Sequence, residues 1–276
     1  MKNNVFMKKI LKKICIWIQC WTGIDLRDVV KSLSFVSPRY YRELKKDLKE
    51  LKKQEKDSKV IFPFGRLYPC YKDKKDTAGK IGGAYFWQDL FIAQQIFLNN
   101  PKRHIDIGSL IQGFIAHVSC FRQIEIFDIR PFNSNMPNVI FKQCDIMDRE
   151  NLEAECTDSI SSLHALEHFG LGRYGDPICY DGYLKGFDNI TYMLQPNGKF
   201  YFSVPLGNQR IDFHAHRIFS LSYLLEMVSK DFTIDSFSYV NDEGLFFPKV
   251  AITSDLLENN CFCKMCGCAI FELIKK

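Results

Sequence analysis

The stretch SSLHALEHFGLGRYGDP, residues 161–177, decides the interpretation of the fold. In it, a short apolar run leads directly into a polar loop that holds two histidines, a glutamate, an arginine, an aspartate and three glycines. An open α/β sheet presents a site in this way at its carboxyl edge, where apolar strands end in polar, glycine-rich loops. The alternative is a solvated surface loop that happens to be polar.

Apolar runs on both sides of this stretch alternate with helical patterns. The predicted strands cover residues 104–107, 124–129, 139–141, 159–163, 199–204, 232–240 and 269–274. The predicted helices cover residues 85–99, 110–120, 183–194 and 221–228. Strands that alternate with helices indicate a parallel, doubly wound sheet. We therefore predict a Rossmann-like α/β sheet of seven strands, the last two of which form an antiparallel edge pair.

The charge is distributed unevenly along the chain. Residues 1–60 hold 16 Lys and Arg against 7 Asp and Glu, whereas the remainder holds 21 against 25. We accordingly divide the chain into a basic helical arm (1–60), a linker (61–80) and an α/β domain (81–276). The mildly acidic composition of residues 81–276 argues against nucleic-acid binding by the domain. The excess of basic residues lies in the arm.

The start of the arm has the pattern of an amphipathic helix. Trp17 and Trp21 share one predicted helix face with two isoleucines, after four lysines. The apolar run is shorter than the roughly 20 residues that span a bilayer, and no signal-peptide cleavage site follows it. Residues 1–33 are expected either to lie peripherally on the inner face of a membrane or to pack on the domain or a second copy. The oligomeric state stays open.

The cysteines indicate a reducing compartment. There are eleven, seven of them scattered singly, and no convincing secretory signal, which predicts reduced thiols and a cytoplasmic protein. Cys261, Cys263, Cys266 and Cys268 fall within eight residues and raise the possibility of a zinc site. One-residue spacings alternate the faces of a strand, however, and no second pair lies nearby. Buried thiols in a last strand are favoured, and no metal is predicted.

Acidic residues end three successive predicted strands. Asp106 precedes Gly108 and Ser109 after the first strand, Asp128 ends the second, and Asp145 follows the third. A glycine at the first turn lets backbone approach a nucleotide, and a carboxylate about 20 residues further on can accept hydrogen bonds from ribose hydroxyls. Asp145 could reach an adenine amino group. These five residues are the predicted cofactor-binding set.

Three residues of the opening stretch are candidates for catalysis. His164, Glu167 and His168 are spaced so that one helical turn would bring them together. A metal would need a third ligand that is not evident. A histidine general base, with the glutamate orienting it, fits the same residues.

Two polar segments supply the candidates for substrate binding. GLGRYG, residues 170–175, formally matches GxGxxG, but it follows the fourth strand and runs into Asp176 and a proline instead of a helix. Its glycines are better suited to a loop over a substrate, with Arg173 binding an anionic group unless it is simply an exposed loop arginine. The segment DFHAHRIFS adds His214, His216 and Arg217. With Arg173 and Asp176, these residues form the predicted substrate-binding set.

These motifs also resemble a known family. HIDIG, IEIFDIR, QCDI, DSISSLHALEH and LQPNGKFYFSVP resemble, in that order, the motifs of class I S-adenosylmethionine-dependent methyltransferases, in particular the type 11 group. HALEHFGLGRYGDP resembles domain-of-unknown-function family 268, methyltransferase-like proteins often thought to belong to surface-polysaccharide pathways. The resemblance covers residues 82–276. It implies S-adenosylmethionine as cofactor and a hydroxyl of a small sugar or nucleotide sugar as acceptor.

One departure from the type 11 pattern keeps two alternatives open. That group usually has D-x-G-x-G-x-G after the first strand, whereas here only Gly108 remains, Leu110 is bulky, and Gly113 recovers part of the turn. The first alternative is a binding or scaffold module that has lost the cofactor. The second is an enzyme that acts on nucleotide sugars without methyl transfer.

Overall fold

The computed structural model describes residues 15, 38–60, 62–70, 79 and 81–276. The chain divides into two compact units, Met1–Lys80 and Ile81–Lys276. In the first unit, helix α1 (Pro38–Glu55) exposes most of its charged side chains. The membrane or packing role predicted for residues 1–33 falls outside the described residues, apart from Cys15. Among the residues that are described, none of the helices has the length and apolar character needed to cross a membrane.

The second unit alternates strands and helices. Its first half contains α2 (Ala84–Asn99), β1 (His104–Ile107), a π-helical turn (Ile111–Ile115), α3 (Ala116–Ser119), β2 (Ile124–Asp128), β3 (Val139–Gln143), β4 (Thr157–Leu163) and a 3-10 turn (Leu166–His168). Its second half contains α4 (Gly182–Met193), β5 (Leu194–Leu206), β6 (Arg210–Asp212), β7 (His216–Ile218), α5 (Leu221–Ser229), β8 (Phe232–Val240), β9 (Phe246–Phe247), α6 (Ser254–Glu258), a second 3-10 turn (Asn260–Phe262) and β10 (Gly267–Lys275).

The main sheet has the strand order β3-β2-β1-β4-β5-β10-β8-β9. The pairs among β1 to β5 are all parallel, and Ile105 of β1 lies opposite Glu125 of β2 and Ile160 of β4. The last strands are antiparallel, with β10 inserted between β5 and β8. The predicted doubly wound α/β sheet, with the first two strands parallel neighbours, is confirmed.

The structure adds elements that the predicted seven strands do not include. The two-residue strand β9 pairs with β8 and makes the sheet eight-stranded. A separate hairpin of β6 and β7 follows β5. Both additions are very short, so they leave no apolar run long enough to read in a sequence. The predicted helix over residues 110–120 is present as the π-helical turn followed by α3.

The core lies on both faces of the sheet. Successive residues of β5 illustrate this, since Phe200 and Phe202 pack in one buried cluster and Tyr201 in the other. The strands read as nearly continuous apolar runs because helices cover both faces. Helix α2 packs on the second cluster, where its Gln88 and Asp89 are buried among apolar neighbours. Gln88 accepts a hydrogen bond from the Ser203 hydroxyl of β5 at 2.7 Å and donates one to Asp89 at 3.1 Å, so these two polar side chains have partners within the core.

Candidate functional site

The carboxyl ends of β1 to β4 open into a cleft with two connected pockets. The inner pocket, about 530 Å³ and partly open to solvent, is mainly apolar, with walls that include Phe127, Ile129, Ile146, Ala165 and Phe169. The outer pocket has walls that include Tyr85, Leu110, Gln112, Phe132 and Arg173. The two pockets share Gly108, Asp128, Arg130, His164, His168 and Tyr174.

Gly108 brings bare backbone into both pockets. Its φ is +68°, in the region that favours glycine, and a Cβ there would lie 3.0 Å from the Ala165 Cβ. Its N–H donates to the carbonyl of Phe127, which ties the turn after β1 to β2. The predicted close approach of backbone at Gly108 therefore has a structural basis.

Asp106 lies beneath the turn and is not part of the described walls of either pocket. It is fully buried and accepts hydrogen bonds from the Ser109 N–H (3.0 Å) and from the Ser109 and Ser161 hydroxyls (both 2.6 Å). Ser109 Oγ in turn accepts from the Leu163 N–H at 3.1 Å. Burial raises the pKa of Asp106 to about 7, although these hydrogen bonds oppose the shift. The position indicates a positioning residue for the turn instead of the predicted direct cofactor ligand, whereas Ser109 does line the outer pocket.

Gly113 in the π-helical turn packs against a residue that sequence reasoning missed. A Cβ on Gly113 would overlap Oδ2 of Asp89, which projects from α2. Asp89 is buried and accepts a hydrogen bond from Gln88 Nε2 at 3.1 Å. Burial raises the pKa of Asp89 to about 6. Adjacent polar residues in an otherwise apolar helix pattern were the available signal.

Asp128 lies at the end of β2, as predicted, but its carboxylate is already engaged. Oδ1 accepts from the Arg130 backbone N–H (2.8 Å) and Nε (3.0 Å), and Oδ2 accepts from Nη2 (2.6 Å). The Arg130 guanidinium also stacks 4.4 Å from the Tyr174 ring centroid. Neither Arg130 nor Tyr174 was among the predicted site residues, although arginine two positions after a strand-ending aspartate is a visible signal.

Asp145 lies in the wall of the inner pocket, between apolar neighbours. Its Oδ1 accepts a hydrogen bond from the Met147 N–H at 2.9 Å, which fixes the turn after β3. A carboxylate in an apolar pocket can accept a hydrogen bond from an amino group that enters beside it. The structure thus brings Gly108, Asp128 and Asp145 to one cleft.

His164 and Glu167 form a buried pair. His164 Nδ1 lies 3.0 Å from Glu167 Oε1, and the ring centroid of Tyr85 lies 5.0 Å from that of His164. His164 Nε2 and Glu167 Oε2 are buried without a hydrogen bond to any residue in the described part of the chain. Burial alone would lower the pKa of His164, but the neighbouring Cys268 and Glu167 raise it well above the usual value. His164 therefore favours the protonated form.

His168 has the opposite character. Its Nδ1 lies 2.7 Å from the carbonyl oxygen of Ala215, and because a carbonyl only accepts, Nδ1 carries the proton. Burial lowers the pKa of His168, so that it is neutral at pH 7 with Nε2 unprotonated. Nε2 lies 3.6 Å from Oε1 of Glu167. Of the two predicted histidines, His168 has the protonation state of a general base.

The loop at residues 170–175, which we call the glycine loop, folds against the cleft. Asp176 accepts hydrogen bonds from the backbone N–H groups of Gly170 (2.8 Å), Gly172 (3.1 Å) and Tyr174 (3.1 Å). Tyr174 meets the His168 ring edge-on at 5.3 Å. Asp176 lies in the inner pocket wall, but its oxygens hold the loop, so it differs from the substrate ligand that we predicted.

Arg173 and Arg217, both predicted substrate ligands, have different surroundings. Arg173 lines the outer pocket, with Nη1 donating to the Ala215 carbonyl at 2.9 Å. Arg217 is buried and donates to the carbonyls of Glu167 (3.3 Å), Phe169 (2.7 Å) and Tyr180 (2.7 Å). These contacts use the guanidinium to tie the 3-10 turn and the segments on either side of residues 170–175 together, and the substrate role predicted for Arg217 stays a prediction.

The two histidines of the β6–β7 hairpin are placed at different distances from the cleft. His216 has its ring centroid 6.2 Å from that of His168, and burial lowers its pKa. His214 is exposed in the turn of the hairpin with a φ of +64°. His216 is thus close to the catalytic candidates, whereas the structure does not bring His214 into either described pocket.

The four clustered cysteines are mostly buried. Cys261, Cys263 and Cys268 are buried and Cys266 is exposed. Burial raises the pKa of Cys261 and of Cys263 to about 12, which keeps both as thiols. Within the described ranges, no group of three or more His, Cys, Asp or Glu side chains is arranged to hold a metal ion.

The strand order, the antiparallel β10 beside β5 and the cleft at the ends of β1 to β4 define a class I methyltransferase-like α/β domain. The chain belongs to the family described as Caenorhabditis protein of unknown function, DUF268, whose family model matches residues 102–260. No curated protein matches the sequence.

Several solved structures are similar to this chain at low sequence identity. The 1,6-didemethyltoxoflavin-N1-methyltransferase of Burkholderia thailandensis, with 1,6-didemethyltoxoflavin and S-adenosylhomocysteine bound, is 15% identical over 88% of this chain and 92% of its own, with a TM-score of 0.48. The N-methyltransferase NodS of Bradyrhizobium japonicum WM9, in complex with S-adenosylhomocysteine, is 12% identical over 68% and 87%, with a TM-score of 0.45. The [4+2]-cyclase SpnF is 14% identical over 68% and 80%, with a TM-score of 0.49.

Proposed function

We propose that this protein transfers a methyl group from S-adenosylmethionine to a hydroxyl of a small sugar or nucleotide-sugar acceptor, in surface-polysaccharide metabolism. The observation that supports the proposal most is the neutral His168, which lines two adjoining pockets, one of them with mainly apolar walls suited to adenine. A hydroxyl acceptor needs a base that is unprotonated near pH 7, and His168 meets that need.

The residues of the cleft fit the cofactor. The inner pocket offers apolar walls for adenine and Asp145 for its amino group, and Gly108 leaves room for the cofactor against backbone. Asp128 is placed to accept hydrogen bonds from ribose hydroxyls, although Arg130 now holds it. When bound, S-adenosylmethionine supplies an electrophilic methyl group.

The residues of the chain supply positioning and proton transfer. His168 Nε2 would take the proton of the acceptor hydroxyl, while the Ala215 carbonyl holds Nδ1 in the donor state. Glu167 is near both histidines and stabilises the positive charge that His168 gains. Alignment of the reacting groups can account for much of the rate, since it converts an encounter into a reaction within one complex.

Isothermal titration calorimetry tests the cofactor directly. We expect S-adenosylmethionine and S-adenosylhomocysteine to bind, and absence of binding at millimolar ligand would overturn the proposal. The acceptor is then sought among sugars and nucleotide sugars by following transfer of a labelled methyl group. Loss of transfer in His168→Ala, with cofactor binding retained, would support His168 as the base.

A second candidate is an enzyme that acts on nucleotide sugars without methyl transfer. Arg173 and Arg130 in the outer pocket, suited to anionic groups, favour it. Turnover of a nucleotide sugar that needs no S-adenosylmethionine would support this candidate. The scaffold alternative rests on the lost glycines after β1 and predicts no turnover with any acceptor.

We also propose where the protein is located. The scattered cysteines, which we predict to be reduced, favour the cytoplasm, and the basic residues 1–33 favour peripheral contact with the inner face of a membrane. Sedimentation with anionic vesicles, compared between the full chain and a chain without residues 1–33, tests the contact.

A further inference from the structure

The Asp128 carboxylate, which we expect to hold the cofactor ribose, is already bound by the side chain of Arg130. Arg130 binds both oxygens of Asp128 in a fork, with Nη2 to Oδ2 at 2.6 Å and Nε to Oδ1 at 3.0 Å. The Asp128 side chain is 13% exposed and that of Arg130 is 47% exposed. A ribose diol would need the same two oxygens, of which Oδ1 already accepts two hydrogen bonds and Oδ2 one, so the arginine and a ribose compete for Asp128.

Arg130 is one of two guanidinium groups beside the same ring. Its Cζ lies 4.4 Å from the Tyr174 ring centroid, and the Arg173 Cζ lies 5.1 Å from it. The two guanidinium carbons are therefore separated by no more than the sum of these distances. Both arginines line the outer pocket, where Asp128 is the one acidic residue among the described lining residues.

We propose that Arg130 competes with the cofactor ribose for Asp128 and, once displaced, joins Arg173 beside Tyr174 to bind a phosphate group of the acceptor. This inference rests on the proposed function, since it assumes that S-adenosylmethionine enters the cleft. It assigns two contacts to the Arg130 side chain, one with Asp128 at the proposed ribose site and one with the phosphate of the acceptor.

Phosphate fits two guanidinium forks better than a carboxylate does. One fork already satisfies the two oxygens of a carboxylate in a bidentate pair. A terminal phosphate offers three oxygens and close to two negative charges, and so can accept from both arginines at once. A sugar phosphate carries such a terminal phosphate. The diphosphate of a nucleoside diphosphate sugar, whose two esterified phosphates together offer four free oxygens and two negative charges, can also accept from both arginines.

The arrangement couples the two ligands. Cofactor binding frees Arg130 for phosphate, and by linkage phosphate binding favours the cofactor to the same degree. Removal of Arg130 therefore has effects of opposite sign on the two ligands. An arginine with only a structural role would weaken both or neither.

The first experiment measures S-adenosylhomocysteine affinity by calorimetry in the full chain. Arg130→Ala is expected to bind it about 3- to 10-fold more tightly than the natural protein, because a partly exposed fork is no longer in competition. Arg130→Lys, which keeps the charge but loses the fork, is expected to lie between the two. Lys185→Ala, which removes an exposed positive charge elsewhere on the domain, is the matched control and should leave the affinity unchanged.

The second experiment titrates inorganic phosphate and inorganic pyrophosphate with and without saturating S-adenosylhomocysteine. In the natural protein, at least one of these anions is expected to bind about 5-fold or more tightly in the presence of S-adenosylhomocysteine. Arg130→Ala should lose that dependence, and Arg173→Ala should lose anion binding in both conditions. Lys185→Ala should behave as the natural protein.

The outcomes separate this inference from the proposed function. If the natural protein binds S-adenosylhomocysteine and Arg130→Ala, shown to be folded by its melting temperature, binds it no more tightly, competition is overturned while the proposed function stands. If anion affinity does not respond to S-adenosylhomocysteine, the shared phosphate site is overturned. If neither protein binds S-adenosylhomocysteine at millimolar concentration, the proposed function fails and the inference fails with it.

Discussion

At the scale of single residues, Glu167 lies close to two histidines whose pKa values are shifted in opposite directions. Its Oε1 lies 3.0 Å from Nδ1 of His164 and 3.6 Å from Nε2 of His168. The environment raises the pKa of His164 and lowers that of His168. Glu167 therefore lies beside one histidine that favours the charged form and one that favours the neutral form. Environments that shift two pKa values apart are typical of an acid and a base in one site.

The pH dependence of the reaction follows from the lowered pKa of His168. Only the neutral form accepts a proton, so kcat/KM for methyl transfer should fall as the pH drops through a pKa below about 6.5. His168→Ala should lower kcat by about 100-fold or more and remove this acid limb. A pH profile of kcat/KM for both proteins measures it. An unchanged acid limb in the variant would show that another group is the base.

Asp106 gives a prediction for stability. Its pKa is about 7 in the folded state against an ordinary value of 3.8, so the folded protein binds this proton more tightly. The resulting stabilisation is complete below pH 4 and is lost as the pH rises towards 7, by at most about 1.4 kcal/mol per pH unit. Asp106→Asn cannot titrate there. Urea unfolding between pH 4.5 and 8 should show the natural protein losing stability relative to the variant, whereas a constant difference would contradict the raised pKa.

At the scale of elements, α2 and the turn after β1 are fitted to each other. The π-helical turn brings Gly113 against the buried Asp89, where a Cβ would overlap the carboxylate. The turn also supplies Ile111 to the outer pocket, and β1 and β4 are tied beneath it through Asp106. The helix thus helps to shape the loop that would face the cofactor.

Gly113→Ala tests this fit. The added methyl group should destabilise the protein by about 1–3 kcal/mol, the usual cost of overpacking a buried contact. Asp89→Ala removes the atoms that it meets, so the double variant should cost less than the two single variants together, with a coupling of about 1 kcal/mol. Urea unfolding of all four proteins completes the cycle. Additive effects would mean that Gly113 is needed for its backbone alone.

Most of the strands and their pairing could be predicted from the sequence, because runs of apolar residues indicate buried strands. The parallel pairing of β1 with β2 and β4, and the antiparallel β8 and β10, follow from such runs. Contacts between distant residues could not be predicted in the same way. The Arg217 guanidinium donates hydrogen bonds to three backbone carbonyls, and these contacts depend on the position of the 3-10 turn, which the local sequence does not specify.

The position of the cleft could be predicted from the sequence better than the roles of the residues in it. Strand-ending carboxylates indicated the cleft, and Asp128 and Asp145 are in its walls. Asp106 has the same sequence signature but is turned inward by two serines, one of them more than fifty residues away. The raised pKa of His164 likewise depends on Cys268 and Glu167, and the lowered pKa of His168 depends on burial, and the fold alone creates both surroundings.

At the scale of the whole molecule, charge separates the arm from the domain. The first 60 residues have nine more basic than acidic residues, and the other 216 have four more acidic than basic. The net charge of +5 conceals this division. An arm of this kind can direct a mildly acidic domain to an anionic surface without changing its fold.

Removal of residues 1–33 tests the role of the arm. The truncated protein should stay soluble with an unchanged melting temperature, and only the full chain should sediment with anionic vesicles. The four lysines near the start each contribute about 1 kcal/mol at such a surface, so added salt should release the protein. Aggregation or a markedly lower melting temperature of the truncated protein would instead place this helix in the core.

The glycine loop also has a kinetic consequence. Because Asp176 already holds three of its backbone N–H groups, the loop is ordered before any ligand arrives, and little conformational entropy is lost on association. Loop closures commonly take microseconds to milliseconds, whereas rotation of an exposed side chain takes picoseconds to nanoseconds. With the loop in place, the movement that the proposed binding requires is the release of the Arg130 side chain from Asp128. Ligand capture should then be governed by the encounter rate, with no detectable lag from a closing segment.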